Sequence, residues 1–189
     1  MTSTPPATRL SRLCCVLIPL LLLSYGVLRL IDGMDGTHGP GMAWNLGHLC
    51  FLAAFLLLGT LVRELRGLVP AAGARMRTAA GAATVAGLLG AACFVWVILG
   101  DLFPALSDKA PLPAPLQLAG PLAFQLGLLT LLIMLVTTRP RQLPVWSPAL
   151  VFLFFLLITV NLDLIPLASL LLMAGLTPLT RSRTPHMAQ

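Results

Sequence analysis

Residues 147–181, SPALVFLFFLLITVNLDLIPLASLLLMAGLTPLTR, decide how this chain is threaded. The stretch is too long for one ordinary membrane span and short for two. As a single helix from Pro148 to Gly175 it would run roughly 40 Å against a hydrocarbon core of roughly 30 Å, so it would have to tilt and kink at Pro166. As a hairpin it carries start signals for two helices. Ser147 is placed to cap the first, with Pro148 at its opening position. Asp163 is placed to cap the second, with Pro166 in a first turn where a missing N–H costs little. The hairpin is the preferred reading, because it also returns Arg181 and Arg183 to the side where the other arginines collect.

Outward from that stretch, four more apolar runs cover about 13–30, 44–62, 79–100 and 116–136, and the last apolar run covers 148–179. Each reaches the roughly 18 residues that a membrane helix needs. The chain is 58% hydrophobic and only 10% charged, with a mean hydropathy of +0.95, where a soluble domain is roughly half apolar and a quarter charged. The expected fold is therefore an all-α polytopic membrane bundle of six segments, or five if the last stretch is one kinked helix. Its expected organisation is a disordered cytoplasmic N-terminus (1–12), a transmembrane domain (13–180) and a short basic tail (181–189). The connectors are short, glycine-rich or proline-rich, as in FPALSDKAPLPAP (103–115) and TTRPRQLP (137–144), and leave no room for a soluble domain. No internal repeat is visible.

The first segment is expected to be a retained helix. Arg9 and Arg12 give it a positive start, but no small-residue cleavage site precedes Arg29 and Asp32. Cys14 and Cys15 come before the apolar run, the reverse of a lipoprotein. Arginines alternate between connectors. Arg9 and Arg12 precede the first segment, Arg63, Arg66, Arg75 and Arg77 follow the second, and Arg139 and Arg141 follow the fourth. The other two connectors hold Asp32 and Asp35, and Asp101, Asp108 and Lys109. The positive-inside rule then puts the N-terminus in the cytoplasm, with Trp44 and Trp146 at opposite interfaces. Arginine replaces lysine almost everywhere, and Ala, Gly, Leu and Pro abound, a composition associated with GC-rich bacteria. The expected location is the bacterial cytoplasmic membrane, with the lipid bilayer as the main partner. A net charge of +6 would suit nucleic acid if it were gathered on one face, but the arginines lie in separate short patches, so no nucleic-acid partner is expected.

Chemistry-bearing residues gather on the opposite side. IDGMDGTHGPGMAWNLGH (31–48) holds Asp32, Asp35, His38, Asn45 and His48, and the threading adds Asp101, Asn161 and Asp163. A carboxylate near the membrane edge must be hydrated, paired or protonated, since insertion of an aspartate costs about 2.5–3.5 kcal/mol. The catalytic candidates are Asp163, His48 and Asp32; the binding candidates are Asn45, Asn161 and Asp101. Asn45 and His48 are three apart and should share a helix face, and Arg29 and Asp32 have the spacing of a pair. The bland alternative is a loop whose aspartates are solvated, whose glycines serve turns and whose His48 is hydrogen-bonded in place.

Sharper chemistries find little support. Cys14 and Cys15 are adjacent and Cys50 and Cys93 stand alone, so thiol exchange through C-x-x-C is absent and small apolar packing is expected. Zinc would need three or four converging ligands, which two histidines and loop aspartates do not supply unless the loop folds back. Only His48 approaches a helix as a haem ligand would. No metal or other cofactor is expected. DGMDG (32–36) resembles the start of the CDP-alcohol phosphotransferase motif, but the following Ala-Arg and the later paired aspartates are missing. No P-loop, G-x-S-x-G or H-E-x-x-H occurs.

Packing signals are clearer. AAGAATVAGLLGAAC (79–93) aligns Ala83, Gly87 and Ala91 at four-residue spacing beside Gly90, the small-xxx-small pattern that admits a close neighbour. That neighbour is expected to be a helix of the same chain, with a second copy or a partner membrane protein as the alternative. Gly120 and Gly127 repeat the pattern mildly in the fourth segment, where Gln125 needs a hydrogen-bond partner inside the bundle. Three function classes follow. A non-enzymatic accessory or interaction component comes first, a membrane enzyme using Asp/His acid–base chemistry on a lipid or isoprenoid second, and a small transporter third.

Overall fold

The computed structural model describes residues 8–70, 73–138 and 141–181; residues 1–7 and 182–189 of the expected tails, Arg139, and the side chain of Asp35 lie outside it. The described residues form seven α-helices and two 3-10 turns, with no strand among them. The helices are α1 (Arg9–Asp32), α2 (Met42–Leu68), α3 (Ala74–Leu102), α4 (Pro104–Lys109), α5 (Ala114–Thr137), α6 (Trp146–Val160) and α7 (Ile165–Thr180). Five helical stretches are long and apolar enough to cross a membrane: α1, α2, α3, α5 and Leu162–Thr180. The chain is a multi-pass membrane protein.

The helices outrun their apolar cores. α1 starts at Arg9, inside the stretch expected as a polar tail, where the Thr8 hydroxyl accepts a hydrogen bond from the Ser11 N–H at 3.0 Å. α2 continues through Arg63, Glu64 and Arg66 to Leu68 because Leu65 and Leu68 are still buried against the bundle. Arginine permits this, since its stem lies along apolar surface while its head reaches water. The proline-rich connector holds a helix that hydropathy does not reveal: Pro104 opens α4, where its missing N–H and fixed φ suit a first turn.

The last stretch is a hairpin. α6 ends at Val160, a 3-10 turn (Leu162–Leu164) reverses the chain, and α7 packs back along α6. The Ser147 hydroxyl donates to the Gly175 carbonyl at 2.5 Å, joining the start of α6 to the second half of α7. Both expected caps are corrected by this geometry. Ser147 lies inside the first turn of α6 and bonds across the hairpin instead of capping its own helix. Asn161, not Asp163, caps the turn, its side-chain oxygen accepting from the Asp163 N–H at 2.8 Å. Pro166 does fall in the first turn of α7. The 15 residues of α6 reach only about 22 Å, so this arm is the short one of the pair.

In cross-section the helices close a ring. α1 lies between α2 and α7, α3 between α2 and α5, and α6 touches both α5 and α7. Rings of aromatic side chains fill the interior: Tyr25 stacks on Phe51, which meets Phe55, then Phe94 and Phe124, then Phe155. The tightest crossing is α3 on α5. A Cβ on Gly90 would strike the Gly120 carbonyl and the Phe124 backbone, and one on Gly127 would lie 2.8 Å from the Gly87 Cα. The small-residue face of α3 is thus taken up within the chain, by α5 at Ala83, Gly87 and Gly90 and by α2 at Val62 and Gly59. Outward-facing Leu13, Leu20, Leu56, Leu89, Leu118 and Leu126 leave an apolar belt that contacts the bilayer.

Candidate functional site at the acidic end

The ends of the ring differ in charge. Five of the six acidic residues (Asp32, Asp35, Asp101, Asp108 and Asp163) lie where α1 ends, α2 begins, α3 ends and the hairpin turns, whereas Glu64 lies among the arginines of the opposite end. At the basic end the Thr8 hydroxyl donates to Glu64, and the Gln142 amide donates to the Leu68 carbonyl at 3.1 Å, satisfying a carbonyl of the last turn of α2.

At the acidic end two charge pairs bridge helices distant in sequence. Arg29 Nε donates to Asp163 Oδ1 at 3.2 Å, tying α1 to the hairpin turn. This replaces the expected Arg29–Asp32 pair. Asp32 instead accepts from the Gly39 N–H at 3.3 Å, drawing its own loop closed. Tyr25 lies beside them, within electrostatic reach of Arg29, Asp101 and Asp163.

The second pair centres on His48, which is 3% exposed although it begins only two turns into α2. Its Nδ1 lies 2.9 Å from the Trp44 carbonyl. A carbonyl can only accept, so Nδ1 carries the proton of that bond. Its Nε2 then faces Asp101 Oδ2 at 3.6 Å, an ion pair when the ring holds both protons. Trp44 lies over the imidazole with ring centres 4.0 Å apart, Tyr25 meets its edge at 5.5 Å, and the Trp44 indole N–H donates to the Asp101 carbonyl at 3.4 Å. His48 is held from every side.

Of the sequence candidates, Arg29, Asp32, His48, Asp101, Asn161 and Asp163 thus converge on one end of the ring. Asn45 does not share their environment. It is exposed one turn before His48, because the three-residue spacing rotates it out of the interface with α1. His38 is exposed and lies over Gly33, where a Cβ would meet its Nε2 at 2.7 Å, so it belongs to the loop's own folding. The void between Tyr25, Arg29, Asp32, Trp44 and His48 holds only about 10 Å³, too small for an organic substrate.

A larger cleft opens on the far side of Asp101. It encloses about 400 Å³ between α3, α4 and α5, and is lined by Phe94, Trp96, Val97, Asp101, Ser107, Leu116 and Gln117 among others. Sequence reading missed it because it is roofed by α4, whose only signal was Pro104 standing at a helix start. The expectation for Gln125 is corrected. It is half-buried in the middle of α5, and among the described residues its side chain has no hydrogen-bond partner, so the partner expected inside the bundle is not there. Comparison with protein-family models, with curated proteins and with solved structures finds no match to this chain.

Proposed function

We propose that the chain is a non-enzymatic component of a larger assembly in the bacterial cytoplasmic membrane, with its N-terminus in the cytoplasm and its acidic end outside. The observation that carries this reading is Gln125. A glutamine amide midway along a membrane helix carries two donors and a carbonyl acceptor that lipid tails cannot satisfy. Leu118, Leu122, Leu126 and Ile133 surround it on the exposed side of α5, a helical stripe against which another membrane helix can lie. A partner helix offering an amide or hydroxyl at that depth would complete the bond, worth about 0.6–2 kcal/mol in a membrane. The polar residues at the acidic end fit the same reading, since the chain itself engages most of them.

The test is co-purification in a mild detergent, with the wild type and Gln125→Leu compared. Wild type should carry a partner, or a second copy, that Gln125→Leu loses while remaining folded. Equal association by both variants would refute the helix-pairing basis of the proposal. A second reading, a membrane enzyme acting on a lipid, is favoured by one feature: Asp101 borders an apolar cleft on one side and His48 on the other.

A further inference from the structure

We infer that the cleft between α3, α4 and α5 binds a membrane lipid with a primary ammonium headgroup, of which phosphatidylethanolamine is the common bilayer example. Its volume of about 400 Å³ lies within the range of small-ligand sites, roughly 300–1,000 Å³. Val97, Leu116 and Trp96 line it and are themselves exposed on the apolar belt, so it opens where lipid already lies.

The polarity of the lining specifies the ligand. The Trp96 indole N–H donates to the Ala110 carbonyl at 3.0 Å, the Ser107 hydroxyl to the Pro104 carbonyl at 2.9 Å, and the Gln117 amide to the Leu112 carbonyl at 2.9 Å. The Trp96 and Ser107 donors and one N–H of Gln117 are therefore engaged within the chain, while two acceptors remain: the second oxygen of the Asp101 carboxylate, 42% exposed, whose other oxygen faces His48, and the Gln117 side-chain oxygen. A cleft with more free acceptor capacity than free donors favours a ligand that donates. The Asp101 carboxylate asks further for a cation, and the face of Trp96 attracts one as well. An ammonium with three N–H groups meets all of these demands. Lys109, the exposed last residue of α4 and the chain neighbour of the lining residue Ala110, complements a headgroup phosphate. Gln125 itself does not line the cleft.

Native mass spectrometry of the full chain in nanodiscs of phosphatidylethanolamine, phosphatidylcholine and phosphatidylglycerol in equal parts tests the assignment. Phosphatidylethanolamine should be retained preferentially on release, by roughly tenfold, the equivalent of one charged hydrogen bond. Asp101→Asn should abolish the preference, and Val97→Trp, which fills the cleft from its rim, should lower retention while sparing the fold. Gln125→Leu should leave retention unchanged, which separates this site from the helix-pairing surface. Equal retention of the three lipids would overturn the inference. So would a preference that survives both Asp101→Asn and Val97→Trp. Tight binding of phosphatidylcholine alone would overturn the donor argument, because its quaternary nitrogen has no N–H.

Discussion

Gly90→Ala and Gly81→Ala make the same chemical change on the same helix and should act in opposite directions. At Gly81 a Cβ meets nothing within 4 Å. The substitution there only raises helix propensity and should stabilise by roughly 0.5–1 kcal/mol. At Gly90 the new carbon would lie 2.6 Å from the Phe124 Cβ and closer still to the Gly120 carbonyl and the Phe124 amide. Carbon atoms settle near 3.5–4.0 Å, so the two backbones must separate by roughly 1 Å. Neither obstacle is the flexible end of a side chain; both are helix backbone. Overpacking of this kind costs about 1–3 kcal/mol. A value of about 2 kcal/mol corresponds to a Tm lowered by about 4–8 °C for a chain of this size. Thermal unfolding in one detergent, followed by circular dichroism, reads both variants against wild type. If Gly90→Ala melts with Gly81→Ala, α3 and α5 do not cross at backbone contact, and the ring closure built on that crossing fails.

Asn161→Ala should destabilise the hairpin by about 1 kcal/mol through loss of the turn cap, and Asn161→Asp should restore it, both read as Tm. Asp163→Asn should cost less than about 1 kcal/mol, because its partnership with Arg29 is made by a half-exposed carboxylate; a larger loss for Asp163→Asn than for Asn161→Ala would show that the charge pair, not the Asn161 cap, holds the turn. Single cysteines at Ala110→Cys and Arg181→Cys, on a background without the four native thiols, should label from opposite sides of the membrane. With a cytoplasmic N-terminus, an impermeant reagent on intact cells reaches residue 110 and not residue 181. Labelling of both, or of residue 181 alone, would refute that threading.

By itself the sequence determined the solvent, the four long apolar helices that precede the last stretch, the segregation of charge and the preference for a turn at Asn161–Asp163. These properties are local or additive: hydropathy sums over a window, arginines act through their position between windows, and a proline marks a first turn wherever it stands. The small-residue face of α3 was legible for the same reason, since four-residue spacing aligns side chains without reference to a neighbour. Which residues meet across the ring was decided only by the tertiary structure. Arg29 could pair with Asp32 on its own helix, yet the hairpin brings Asp163 from the far end of the chain to its guanidinium, and the Gly39 amide takes Asp32. Ser147 reads as a cap in sequence, but the Gly175 carbonyl across the hairpin is the better acceptor once α7 folds back. Asn45 and His48 share a helix face on paper, and the position of α1 buries one and leaves the other exposed. The cleft beside Asp101 exists only because α4 folds over the gap between α3 and α5. Such pairings depend on which helices lie side by side, and no periodicity within one helix records its neighbour.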